Sequence, residues 1–195
     1  MEKTAVETIK ENLEFLEKHN VIGIAAFIDN NNPCNFWYKT FEHENNSAVI
    51  KCAEEGIIKI MKNNKFHSKG INLMLERYEQ NCAHYNLPES NNNTIISENN
   101  TTEDVLNTEL GKIIKDSIIQ KTAELGNLDF QALILLKSNN KINYIYTGDI
   151  RRLFVALSCV ILPELFSKYN VSKEETVRFE KEIKSATIAQ NKMMS

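Results

Sequence analysis

Two apolar runs, Val21–Ile28 and Phe130–Leu136, constrain this chain more than any other feature. Neither alternates polar with apolar residues, as a strand with one wet face does. Both therefore read as central strands covered on both sides. Each is followed by a turn cluster, Asp29-Asn30-Asn31-Asn32-Pro33 in one case and Ser138-Asn139-Asn140 in the other. Each then resumes as an aromatic strand, Asn35-Phe36-Trp37-Tyr38-Lys39 and Ile142-Asn143-Tyr144-Ile145-Tyr146. The pattern predicts two β-hairpins.

The hairpins align at an offset of 108, which brings Phe36 onto Tyr144, Trp37 onto Ile145 and Tyr38 onto Tyr146. Their flanks repeat too. Thr4 and Glu7 have capping-box spacing ahead of a stripe formed by Val6, Ile9, Leu13 and Leu16. Ser47 and Ser68 are positioned to cap the two helices after the first hairpin. The first of these carries Ile50, Ala53, Ile57 and Met61, and the second Ile71, Met74, Leu75, Tyr78, Cys82 and Tyr85. Thr102 opens a helix bearing Leu106, Leu110, Ile113, Ile114 and Ile118, which stops near Gly126. Asp149 caps the helix after the second hairpin, and Ser172 with Glu175 opens the last one.

The expected fold is α+β, with pseudo-duplicated helix–β-hairpin–helix–helix units. Residues 1–88 form the first unit, 89–102 a polar linker and 103–195 the second, the two sharing one core. The hairpins should build a four-stranded antiparallel sheet, with the two apolar strands inside and about six helices packed on it. Leu153–Leu162 is apolar nearly all round, which predicts either a central core helix or a face meeting another chain. Pro163 should kink or restart it.

Composition narrows the function classes. Of 195 residues, 42% are hydrophobic, enough for a real core. The net charge of -3 and the lack of a basic stretch argue against nucleic-acid binding through phosphates. The longest apolar run falls short of the ~20 residues that span a bilayer. The start of the chain lacks the apolar segment of a secretory leader, so a cytoplasmic location without a membrane span is expected. Asn, Lys and Ile are abundant together, as in A/T-rich coding, so the Asn runs carry no weight as binding motifs.

The six glycines form no phosphate-cradling pattern. Cys34, Cys52, Cys82 and Cys159 are too irregularly spaced for a disulfide framework, and Cys34 is the one expected to be exposed. Cys82 and His84 lie two apart on a helix and do not converge, while His19, His43 and His67 fall at element ends. The sequence therefore predicts no metal, no cofactor and no catalytic residue by motif. Glu7, Glu11, Glu14 and Glu17 read as a solvated helix face, and no acid inside an apolar stretch signals a raised pKa.

The candidate binding residues are Trp37, Tyr38, Tyr144, Tyr146, Arg151 and Arg152. Aromatic strands supply either docking anchors or cross-strand packing. Arg151 and Arg152 are two of the four arginines, and the guanidinium fork suits carboxylate or phosphate. The leading expectation is a non-catalytic protein-binding protein: an adaptor, small chaperone, immunity or inhibitor protein, or subunit of a larger assembly. Its partner would be another chain or a second copy. The alternative is a small-molecule or anion sensor binding between sheet and helices. The third is an enzyme whose site assembles from distant residues.

Overall fold

The computed structural model describes residues 3–32, 36–41, 46–89, 105–139 and 141–194. The elements are α1 (Ala5–Lys18), β1 (Ile22–Asp29), β2 (Phe36–Phe41), α2 (Asn46–Asn64), α3 (Ser68–His84), a 3-10 turn (Val105–Asn107), α4 (Glu109–Gly126), β3 (Phe130–Ser138), β4 (Lys141–Thr147), α5 (Ile150–Ala156), a π turn (Leu157–Ile161), α6 (Leu162–Lys168) and α7 (Lys173–Met194). The fold is α+β, as expected. Cys34, His43 and Thr102 lie outside the described residues, as does nearly all of the 89–102 linker.

The four strands form one antiparallel sheet in the order β2-β1-β3-β4. The two runs without alternation are indeed the inner pair, and they bury both faces. Ala25, Phe27, Ala132, Ile134 and Leu136 turn to a core shared with Ile9, Leu13 and Leu16 of α1 and Ile114, Ile118 and Leu125 of α4. Ile24, Ala26, Leu133 and Leu135 point the other way and are no more than 2% exposed. The offset of 108 relates the outer strands, where Trp37 and Ile145 face the α1/α4 core. On the inner strands, face-matched positions such as Ala25 and Ala132, or Phe27 and Ile134, are 107 apart. The second hairpin carries one residue more between its inner and outer strand. Strand alternation makes that difference obligatory, because a one-residue slip reverses every side chain.

Contacts divide the chain into two compact units. One comprises Met1–Cys52 and Glu98–Leu153, and the other Ala53–Ser97 and Phe154–Ser195. The first holds the sheet with α1 and α4. The second is helical, and Tyr78 lies at its centre, 1% exposed. The Tyr78 hydroxyl donates to the Thr176 carbonyl at 3.1 Å, and its ring packs edge-on against Phe166 and Phe179.

The caps follow local chemistry. Thr4 and Glu7 form the expected capping box, Asp149 Oδ1 accepts from the Arg151 N–H at 2.9 Å, and Ser172 Oγ accepts from the Glu175 N–H at 3.4 Å. Three expected caps are corrected. Ser47 lies inside α2, His67 rather than Ser68 caps α3, and Thr108 rather than Thr102 caps α4. The late start of α4 leaves Leu106 in the 3-10 turn. Of the apolar residues on α4, Ile114 and Ile118 are buried, while Leu110 and Ile113 are 52% and 59% exposed. The asparagines do structural work. Asn20, Asn86 and Asn170 take left-handed backbone after α1, α3 and α6. At Asn20 the Val21 N–H reaches the Leu16 carbonyl and the Asn20 N–H that of Glu17, which is a Schellman stop.

Pro163 has no N–H to give the Cys159 carbonyl four residues back. The helix answers with the π turn, in which the Leu162 N–H bonds the Leu157 carbonyl. The Asn81 side-chain amide of α3 donates to the orphaned Cys159 carbonyl. In this way α5, the π turn and α6 run on as one helical stretch, most of it buried.

Candidate functional site

The six binding candidates do not converge. Trp37 stacks on Phe27 at 4.2 Å on the α1/α4 side of the sheet, with the Lys10 ammonium 4.9 Å from its ring centroid. Tyr38 faces the opposite side, paired with Ala26. Tyr144 and Tyr146 stack at 6.1 Å on that same side, but on the other outer strand. Three strand spacings, about 14 Å, separate β2 from β4. Tyr146 alone of these aromatics is more than a third exposed, at 43%. Arg151 and Arg152 are exposed in the first turn of α5. The neighbouring polar network is structural: buried Gln131 accepts from the Asp149 N–H at 3.1 Å and donates to the Asn30 side chain.

The described thiols are Cys52, Cys82 and Cys159, all buried. Burial pushes Cys82 up to about 12 and Cys159 up to about 11. Cys159 also donates to the Met74 carbonyl at 3.3 Å. Both stay neutral thiols, poor nucleophiles. In the native protein, Cys82 and Cys159 are expected to alkylate with iodoacetamide at least roughly a hundredfold more slowly than a free thiol. Peptide mapping by mass spectrometry checks this. Rapid labelling of either would mean that the second unit opens readily. Among the described residues, no three His, Cys, Asp or Glu side chains converge as metal ligands, and no helix is long and apolar enough to cross a membrane.

The second unit holds an open groove of about 1340 Å³ between the C-terminal half of α2 and the outer side of α7. The helical repeat explains its lining. Glu174, Arg178, Glu182 and Ala186 form one i, i+4 row of α7, and Val177, Lys181, Ser185 and Ala189 form the next. Ile58 and Lys62 supply the α2 wall at the same spacing. Apolar and small side chains thus lie among charges of both signs.

One charge cluster anchors this groove. Arg178 donates from Nε to Glu175 and from Nη1 to Glu182, both at 2.5 Å, and from Nη2 to Glu54 Oε2 at 2.9 Å. The Glu54 side chain is only 6% exposed, and its Oε1 has no hydrogen-bond partner. Burial outweighs the attraction of Arg178 and pushes the Glu54 carboxyl up to about 7. The three carboxylates hold Arg178 firmly protonated. Glu54 corrects the expectation that no acid sits in an apolar stretch. It lies four residues after Ile50 and three before Ile57, on the very stripe identified as the buried face of α2, and that spacing was the available signal.

The chain matches no known protein-family model, no curated protein and no solved structure.

Proposed function

We propose that the chain is a non-catalytic protein-binding protein, acting as an adaptor, small chaperone, inhibitor or assembly subunit, and that the groove of the second unit is its docking surface. The observation that carries this reading is the groove's lining: exposed Val177 and Ala189 and half-buried Ala186 along one side of α7, with half-buried Ile58 on the α2 wall, rimmed by charges. That combination suits helix-in-groove recognition, in which an apolar stripe is buried and a polar rim fixes register. Its volume exceeds the roughly 300–1,000 Å³ of a usual small-molecule pocket, and it is open rather than enclosed. That favours a polypeptide over the small-molecule alternative. The raised pKa values of Cys82 and Cys159 weigh against a thiol enzyme.

A photo-crosslinking amino acid at Ala186, in the groove, with a control at exposed Gln120 on α4, tests the reading in the native host. A discrete adduct is expected from position 186 and not from 120. A chain that stays a lone monomer by light scattering and forms no adduct at 186 would falsify it.

A further inference from the structure

We infer that Glu54, Arg178, Glu175 and Glu182 form a pH-operated catch: with the Glu54 carboxyl protonated α7 is held on α2, and with it ionised α7 opens more often. The geometry is that of a buried carboxyl with too few partners. The Glu54 side chain is 6% exposed, its Oε2 accepts from Arg178 Nη2 at 2.9 Å, and its Oε1 meets no donor. Arg178 cannot make up the difference, because its Nε and Nη1 are already given to Glu175 and Glu182 of its own helix. The guanidinium charge is thus more than balanced before Glu54 ionises. Ionisation adds a further negative charge where water cannot reach it. Glu54 accordingly holds its proton up to about 7, burial outweighing the attraction of Arg178.

The surroundings place the pH response at this carboxyl. From α3, Tyr78 acts on Glu54; burial raises that phenol above its ordinary pKa, and Cys82 and Glu54 add to the rise, so it stays neutral. On α2 itself the residues three and four away are Ile50, Lys51, Ile57 and Ile58, of which Lys51 alone carries charge. Farther along the seam between α2 and α7 the contacts hold no ionisable group. Thr187 Oγ1 lies 3.8 Å from Met61 Sδ, and Gln190 Nε2 donates to the Met61 carbonyl at 3.4 Å. Between α3 and α7, Glu79 and Glu180 share Lys184. The Glu79 carboxyl is raised too, by burial and then by Glu180, but it lies at the surface, where salt and water screen it. The opened chain gives up the Glu54 proton near 4.5 and the closed one near 7. The hold on α7 is therefore full below 4.5 and is lost as pH rises through about 7. Because α7 supplies one wall of the groove, the groove is complete only while the catch is closed.

Hydrogen exchange of the full chain, read by mass spectrometry with intrinsic amide rates divided out, tests the catch. Between about pH 6 and about pH 8 the protection of α7 amides should fall about tenfold, while that of α4 amides holds. Glu54→Gln keeps the size of the side chain but has no proton to lose, so its α7 protection should be flat over the same range. Glu79→Gln, which removes a second raised carboxyl beside α7, should leave the wild-type response in place. A parallel fall in α4 overturns the inference, because it reports unfolding of the whole chain. Wild-type α7 protection that does not change with pH overturns it as well, whether or not the Glu54→Gln chain folds. So does a response that persists in Glu54→Gln or vanishes in Glu79→Gln.

Discussion

Replacing Gly23 with alanine is expected to cost about 3 kcal/mol, read as a fall in the urea midpoint with an unchanged slope. Gly23 sits in β1, opposite Phe41 of β2 and Leu136 of β3. A methyl group there would meet the Phe41 ring at 2.1 Å and the Leu135 carbonyl oxygen at 2.3 Å. Phe41 is fully buried and has nowhere to turn. The carbonyl belongs to the β1–β3 pairing at the middle of the sheet, so relief on that side means displacing a strand. Gly70→Ala makes the contrast. Gly70 lies within α3 with no atom within 4 Å of the added carbon. There the same change should stabilise by about 0.5–1 kcal/mol, the helix-propensity gain. A Gly23→Ala variant as stable as the wild type would mean that the inner strands are not packed as described.

Arg178→Ala is expected to cost about 3 kcal/mol when Glu54 is ionised, and much less in acid, because it strips a buried carboxylate of its cation. The Glu54 pKa is raised from 4.5 to about 7 in the folded chain. The folded state therefore holds the proton more tightly than the unfolded one. The stability linked to that proton is full below 4.5 and disappears as pH rises through about 7. It amounts to at most roughly 3 kcal/mol. Glu54→Gln should abolish this part of the pH dependence and make Arg178→Ala less costly above neutrality. Urea midpoints of the wild type, both single variants and the double variant, followed from acid to alkaline pH, measure it. An Arg178→Ala penalty that stays constant with pH would show that Glu54 is not the group left uncompensated.

The sheet was legible because its central strands break a rule visible in the residues alone. Val21–Ile28 and Phe130–Leu136 have no face fit for water, and a hairpin partner carrying Lys39 or Asn143 does. Helix starts were less legible. Ser68 and Thr102 carry a suitable hydroxyl, but the ring nitrogen of His67 and the hydroxyl of Thr108 accept as well, and the choice depends on tertiary packing that local spacing does not encode. The groove was invisible for a different reason. Ile58 and Lys62 lie more than a hundred residues from α7, and every charge that lines it reads, alone, as ordinary solvated helix surface. The aromatic candidates misled in the opposite direction. Trp37 and Tyr144 look like anchors in a list of residues, yet one is stacked on the core side and the other lies half-buried against Tyr146.

The interleaving of the two compact units has a consequence for synthesis on the ribosome. β1 needs β3 as its inner neighbour, and residues paired across them, such as Ile24 and Leu135, are more than a hundred positions apart. At roughly 5–20 residues per second, about 5–20 s pass before that partner strand is made. Throughout that interval the nascent chain holds one of its oiliest segments with an open edge, a template for mispairing with neighbouring polysomes.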